Sequence, residues 1–204
     1  MKLLLLSLNL LLSFSLFAGT VDSVNIYSAA MKRSYKAVVI KPNVYNTGKG
    51  RFPVVYLLHG LGGSYNNWIS RVPQLKAHAD KYNLIIVCPD GAVSSWYYDS
   101  PVDSTMRFET YVAQELPAAI EKRYRTIQDR TGRAITGLSM GGHGGLFLGF
   151  RHADFFGACG SMSGALVVWR KQAPRRHQQR GTLPGVQHHE ADGKTHQRFT
   201  SGDH

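Results

Sequence analysis

The chain has 204 residues, of which 43% are hydrophobic and 18% charged, and a formal net charge of +11. That length holds one domain with a real core. The charge excludes less than it suggests, and nucleic acid is not the expected partner. Lys and Arg form no stripe interleaved with aromatics, and residues 169–204 hold seven of them against three Asp and Glu.

Met1-Lys2 opens an apolar run that ends at Phe17-Ala18. One positive charge, an apolar stretch and a small residue read as a signal peptide over residues 1–19, cleaved near Ala18 or Gly19. The run is short for a bilayer span. The expectation is an exported protein, periplasmic or secreted, with no membrane attachment after cleavage and about 185 residues left. Cys88 and Cys159 both lie in apolar contexts, so they read as small buried hydrophobes although export would permit a disulfide.

Ser23 to Ser28 and Tyr35 to Ile40 read as strands, and 42–51 as a polar loop. Pro53 to Leu58 is a continuous apolar run, as a strand buried on both faces requires, and it empties into His59-Gly-Leu-Gly-Gly63. Trp68 to Tyr82 reads as a helix in which Pro73 must lie early or which it must break. Leu84 to Cys88 is a second buried strand, followed by the aromatic loop Trp96-Tyr-Tyr-Asp-Ser-Pro101. Phe108 to Arg125 is the best helix, with Val112, Leu116, Ile120 and Tyr124 four residues apart and Pro117 as a bend or break. Arg133 to Thr136 is a strand, Gly141 to Arg151 a helix, and Phe155 to Ser161 leads to a further strand. Strands alternating with helices predict an α/β protein with a mostly parallel sheet flanked by helices.

Between the strand at 133–136 and the helix at 141–151 stands Gly137-Leu-Ser-Met-Gly141. A serine hydroxyl is a weak nucleophile and must be presented, exposed, to a base and a carbonyl. A sharp strand-to-helix turn does so but crowds the backbone on both sides, hence glycine at 137 and 141. The helix that follows points its free N–H groups at developing negative charge. Ser139 is therefore the candidate nucleophile.

With these pieces in hand, the chain resembles the putative-esterase family of α/β-hydrolases. The resemblance rests on the His59-Gly-Leu-Gly-Gly loop, Trp68, Asp99-Ser-Pro101 and Gly137-Leu-Ser-Met-Gly-Gly142, and runs from Ser23 to Leu166. The family includes esterase D (S-formylglutathione hydrolase), feruloyl and acetyl-xylan esterases, and mycolyltransferases. It implies the α/β-hydrolase fold and a Ser–Asp–His triad in that chain order, with Ser139 as nucleophile. It implies an oxyanion hole from the backbone N–H groups of Leu61 and Met140, and no metal or organic cofactor. The substrate class is a small ester or an acylated polysaccharide. Trp68, Trp96 and Tyr97 are candidates for the pocket wall. His59 reads as a residue that fixes its loop, His143 as a packed helix residue, and Asp99 as a turn residue. In the sheet order that the resemblance implies, the strands of Cys88 and Cys159 lie three spacings apart. That is about 14 Å, too far for a disulfide.

The family carries its Asp and His on loops after strands that follow the 161–165 region. Here the pattern stops. Residues 169–204 hold six apolar residues in 36, five of the nine histidines, and no period of 2 or 3.6. They read as an unstructured tail of the kind a shifted reading frame would leave, after a partial hydrolase domain over 20–168 whose C-terminal strands are missing. Asp192/His196 and Asp203/His204 have the right order but no strand to carry them, and a triad needs geometry rather than order. A metal-binding histidine tail is the other reading, although only His188-His189 are closely spaced. The function expected is ester hydrolysis through Ser139, crippled by loss of the triad Asp and His. The alternatives are an acyltransferase of the same fold, a non-catalytic carbohydrate-binding protein, or a defective fragment.

Overall fold

The structure is a computed structural model that describes residues 19–166. The expected signal segment up to residue 18, the tail 169–204 and the Asp/His pairs within it lie outside the described residues. The six strands are β1 (Thr20–Ser28), β2 (Arg33–Lys41), β3 (Val54–Leu58), β4 (Ile85–Pro89), β5 (Arg133–Gly137) and β6 (Ala158–Cys159). They form one sheet in the order β1-β2-β4-β3-β5-β6. β4, β3, β5 and β6 run parallel, whereas β2 is antiparallel to β4 and β1 to β2. The sheet is mostly parallel, as the alternation of elements predicted, and β2 runs against its neighbours. The reason is local: only four residues link β1 to β2, a connection that closes a hairpin but is too short for a crossover.

The apolar runs become the sheet centre. Val54, Tyr56, Leu58, Ile85, Val87 and Ile135 face one side and join Phe108, Tyr111, Leu116, Met140 and Leu148 in the larger core. Leu57, Ile86, Cys88, Val38 and Ile40 face the other side, where Leu75 and Ala79 cover them. Both faces are filled because alternate side chains of each buried strand point opposite ways.

Two helices are interrupted where the sequence reading placed a proline. Pro73 splits 68–82 into α2 (Asn67–Arg71) and α3 (Leu75–Tyr82). The long helix runs as α4 (Phe108–Thr110), a π turn (Tyr111–Glu115) and α5 (Leu116–Arg123). Pro117 has no N–H for the Ala113 carbonyl. The wider turn, in which the Leu116 N–H reaches the Tyr111 carbonyl, absorbs that gap without ending the helix. The remaining helices are α1 (Val44–Thr47), in the loop predicted at 42–51, and α6 (Met140–Arg151).

The sheet order puts Cys88 on β4 and Cys159 on β6, three strands apart, and both thiols are free.

Candidate active site

β3 and β5 are neighbours in register, with Leu58 opposite Gly137. Whatever follows each strand therefore emerges side by side at the carboxyl edge of the sheet, where open α/β sheets hold their ligands. After Leu58 comes the His59–Gly63 loop, and after Gly137 come Leu138 and Ser139. A Cβ built on Gly60 would lie 3.3 Å from the Leu138 carbonyl oxygen and 3.5 Å from Ser139 Cβ, so the two turns touch.

Ser139 is exposed and precedes α6 with φ 55 and ψ −116. Few L-residues accept that conformation, and it persists only where the surroundings enforce it. The enforcement is visible. The Ser139 N–H donates to the Met162 carbonyl at 2.9 Å, and the Met162 N–H donates to the Gly137 carbonyl at 2.9 Å. A Cβ on Gly137 would meet the Leu58 and Gly141 carbonyl oxygens at 2.5 and 2.6 Å, and one on Gly141 would strike the Leu58 carbonyl group. Both glycines are thus required by backbone that cannot yield. The clamp through Met162 left no signal in the sequence, because it joins residues that no local period connects.

Neither the Leu61 N–H nor the Met140 N–H has a hydrogen-bond partner among the described residues. Met140 opens α6, whose first N–H groups have no intrahelical acceptor. Two unpartnered donors therefore belong to the two turns that meet at Ser139, and the α6 N-terminus adds a partial positive charge.

His59 holds the loop and does not face the serine as a base. It is buried, the Gly91 N–H donates to its Nε2 at 2.8 Å, and Nδ1 lies 2.9 Å from the Gly60 carbonyl. An acceptor Nε2 makes Nδ1 the protonated nitrogen, so the imidazole is neutral and both nitrogens are engaged. Burial lowers its pKa from the usual 6.5, partly offset by the hydrogen bond to the Gly60 carbonyl. The Tyr97 hydroxyl donates to the His59 carbonyl at 2.9 Å.

A cavity of about 320 Å³ opens in front of this edge, lined by His59 to Gly62, by Asn67, Trp68, Arg71 and Val72, and by Leu138 and Ser139. Trp68 lines this cavity, and its indole N–H donates to the Leu58 carbonyl at 3.0 Å. Tyr97 and Trp96, expected in the same wall, are not in it. Tyr97 has φ 60 and is fully buried under the site, packed against Gly91 and Gly144. Trp96 lies half-buried, edge-on to His143 at 5.7 Å. Asn67 and Arg71 were not anticipated. The signal that would have found them is helical spacing: 67 and 71, like 68 and 72, fall one turn apart on the face that carries Trp68.

No described residue hydrogen-bonds the Ser139 hydroxyl. His143 is buried on α6 among Trp96, Tyr98 and Phe147, with Nδ1 3.1 Å from the Ala165 carbonyl. Asp99 is committed elsewhere. Its carboxylate accepts from the Thr110 N–H and hydroxyl at 3.0 and 2.5 Å and pairs with Arg107 at 3.2 Å. Among the described residues no cluster of His, Cys, Asp and Glu could hold a metal.

Comparison with known proteins gives this arrangement its class. The model of the family described as "Putative esterase" matches residues 28–201, and the chain belongs to that family. Among curated relatives, Esterase MT1326 of Mycobacterium tuberculosis (strain CDC 1551 / Oshkosh) is 33% identical over 135 residues, 65% of this chain and 29% of that protein. The diacylglycerol acyltransferase/mycolyltransferase Ag85B of Mycobacterium leprae (strain TN) is 36% identical over 152 residues, 70% of this chain and 44% of the relative. A solved ferulic acid esterase is 33% identical with a TM-score of 0.61, covering 69% of this chain and 58% of its own. The fold is that of α/β-hydrolase esterases. The chain spans less than half the length of these two curated relatives.

Proposed function

We propose that the domain hydrolyses carboxylic esters through Ser139, and that acetyl or feruloyl esters of a polysaccharide are its substrates after export. The Ser139 oxygen attacks the ester carbonyl as its proton passes to water, and the oxyanion that forms accepts from the N–H groups of Leu61 and Met140; the alcohol then leaves as the carbonyl re-forms, and water hydrolyses the acyl-serine to the acid. The observation that carries this reading is the exposed, conformationally forced Ser139 where two turns with unpartnered backbone donors meet. Trp68 in the cavity wall suits an aromatic acyl group, and the similarity to a ferulic acid esterase supports the same substrate class.

On this reading the chain is a weak esterase, because the sequence of residues 169–204 shows no strand pattern that would carry a triad Asp and His to Ser139. Loss of the triad costs about a millionfold in a subtilisin, and oxyanion donors and binding alone leave about 10³–10⁴ over water. Turnover of p-nitrophenyl acetate and methyl ferulate should be slow, and should vanish in Ser139→Ala. Turnover that survives Ser139→Ala would overturn the role of the serine. Fast, Ser139-dependent turnover would overturn the incomplete triad. Acyl transfer is the second reading, favoured by the 36% identity to a mycolyltransferase. Product formed only when a sugar acceptor is added would establish it.

A further inference from the structure

Of the nine arginines of the described region, eight have a partner and Arg71 is the exception. Arg107, Arg133 and Arg151 pair with carboxylates. Arg51, Arg123, Arg125 and Arg130 donate to backbone carbonyls, and Arg33 lies over the Tyr35 ring. Arg71 is exposed and has no ion pair, hydrogen bond or ring contact among the described residues. It lines the same cavity as Ser139.

The rest of that wall sharpens the point. No Asp or Glu lines the cavity, and His59 is held neutral by its hydrogen bonds. Leu61, Trp68, Val72 and Leu138 are apolar. A mostly apolar cleft with one uncompensated guanidinium and no anion has a positive potential. It favours a ligand that joins an apolar body to a negative group, and the planar guanidinium fork suits a carboxylate. Placement fixes the side chain's role. Arg71 ends α2 one turn after Asn67, on the face that lines the cavity, and Pro73 stops the helix just beyond it.

We propose that Arg71 makes this site selective for esters that also carry a carboxylate. The proposal rests on the reading of the cavity as an esterase site, and it names the substrate class. The carboxylate sits on the acyl side or on the alcohol side of the ester, and two isomeric probes separate these sources. Monomethyl succinate carries it on the acyl side and 3-acetoxypropionate on the alcohol side, with methyl pentanoate as the neutral comparison.

Binding of the three esters is measured calorimetrically to the full chain carrying Ser139→Ala, which removes turnover, and to the same chain with Arg71→Gln or Arg71→Lys added. The expected result is that one anionic ester binds about fivefold tighter than methyl pentanoate, since the guanidinium is solvent-exposed. The preference should fall as salt rises, disappear in Arg71→Gln and return in Arg71→Lys. Equal affinity for anionic and neutral esters, no measurable binding of any of them, or a preference that survives Arg71→Gln would overturn the proposal. Failure of the esterase reading is a separate result: anion-selective binding that depends on Arg71, with no Ser139-dependent turnover of either anionic ester by the parent chain.

Discussion

Ser139 holds φ 55 and ψ −116 with a full side chain, a state whose cost is about 1–3 kcal/mol for a non-glycine residue. Glycine adopts positive φ without a Cβ clash, although it loses more entropy on folding. Relief of strain exceeds that entropy here. Ser139→Gly should therefore be more stable than the parent by about 1 kcal/mol and have no esterase activity. Ser139→Ala keeps the Cβ and should stay near the parent. Urea unfolding of the three proteins side by side checks this, and equal midpoints would mean the turn is not strained.

Tyr97 shows the limit of reading a residue type. An aromatic run after a strand can line a pocket or fill a core, and the sequence leaves both open. In the structure φ is positive at 96 and 97, and Tyr97 lies beneath the sheet edge with its hydroxyl on the His59 carbonyl. Tyr97→Phe removes the donor and leaves that buried carbonyl without it, at a cost of about 1–2 kcal/mol. The melting temperature should fall by about 2–8 °C. Because the His59–Gly63 loop carries Leu61, any Ser139-dependent turnover should drop in kcat more than it rises in KM. A change in KM alone would return Tyr97 to the pocket wall.

At the scale of elements, what was legible was what is local. β3, β4 and β5 appear as apolar runs, and the elbow appears as two glycines around a serine, because steric crowding acts within five residues. The bonds that tie elements together were not legible. Asp99 is an instance. As a lone acid in a loop it reads as a turn residue or as a catalytic acid. In the structure it receives the Thr110 N–H and hydroxyl and pairs with Arg107, fastening the start of the long helix to the aromatic loop. Asp99→Ala should cost about 1–2 kcal/mol, in the range of a lost helix cap, and Asp99→Asn should recover part of it. Thermal melts of the two variants test the assignment. If Asp99→Ala melts with the parent, the fastening role is wrong. The π turn ahead of Pro117 is a similar case: the proline announced a disturbance, but only packing of Tyr111, Val112 and Leu116 into the core decides that the helix widens and continues.

For the whole molecule, stability should depend on pH through two imidazoles. His59 and His143 are buried, and desolvation lowers the pKa of each from 6.5, opposed in part by hydrogen bonds to the carbonyls of Gly60 and Ala165. The groups that face them do not reverse this. His59 sees the Gly91 N–H, Tyr97 and the Asp90 charge, which raises its pKa only as a lesser influence. His143 sees Trp96, Tyr98 and Phe147. With folded pKa values below the unfolded 6.5, the unfolded chain binds more protons as pH falls, so the native state loses stability. The contribution is fully present above 6.5, and shrinks as pH drops from there through the folded values. Asp103 and Asp129, lowered by hydrogen bonds from Thr105 and Thr131, act in the same direction but only near and below their usual 3.8. The window from pH 6.5 toward 5 therefore belongs to the imidazoles. The melting temperature should fall between pH 7.5 and 5.5. His143→Phe keeps an aromatic ring among its aromatic neighbours and removes one titration, so the fall should be smaller in that variant. Melting temperatures measured in both proteins across that range decide the matter. A parent whose melting temperature is flat or rises toward pH 5.5, or a variant as pH-sensitive as the parent, would show that the buried histidines are not what couples this fold to protons.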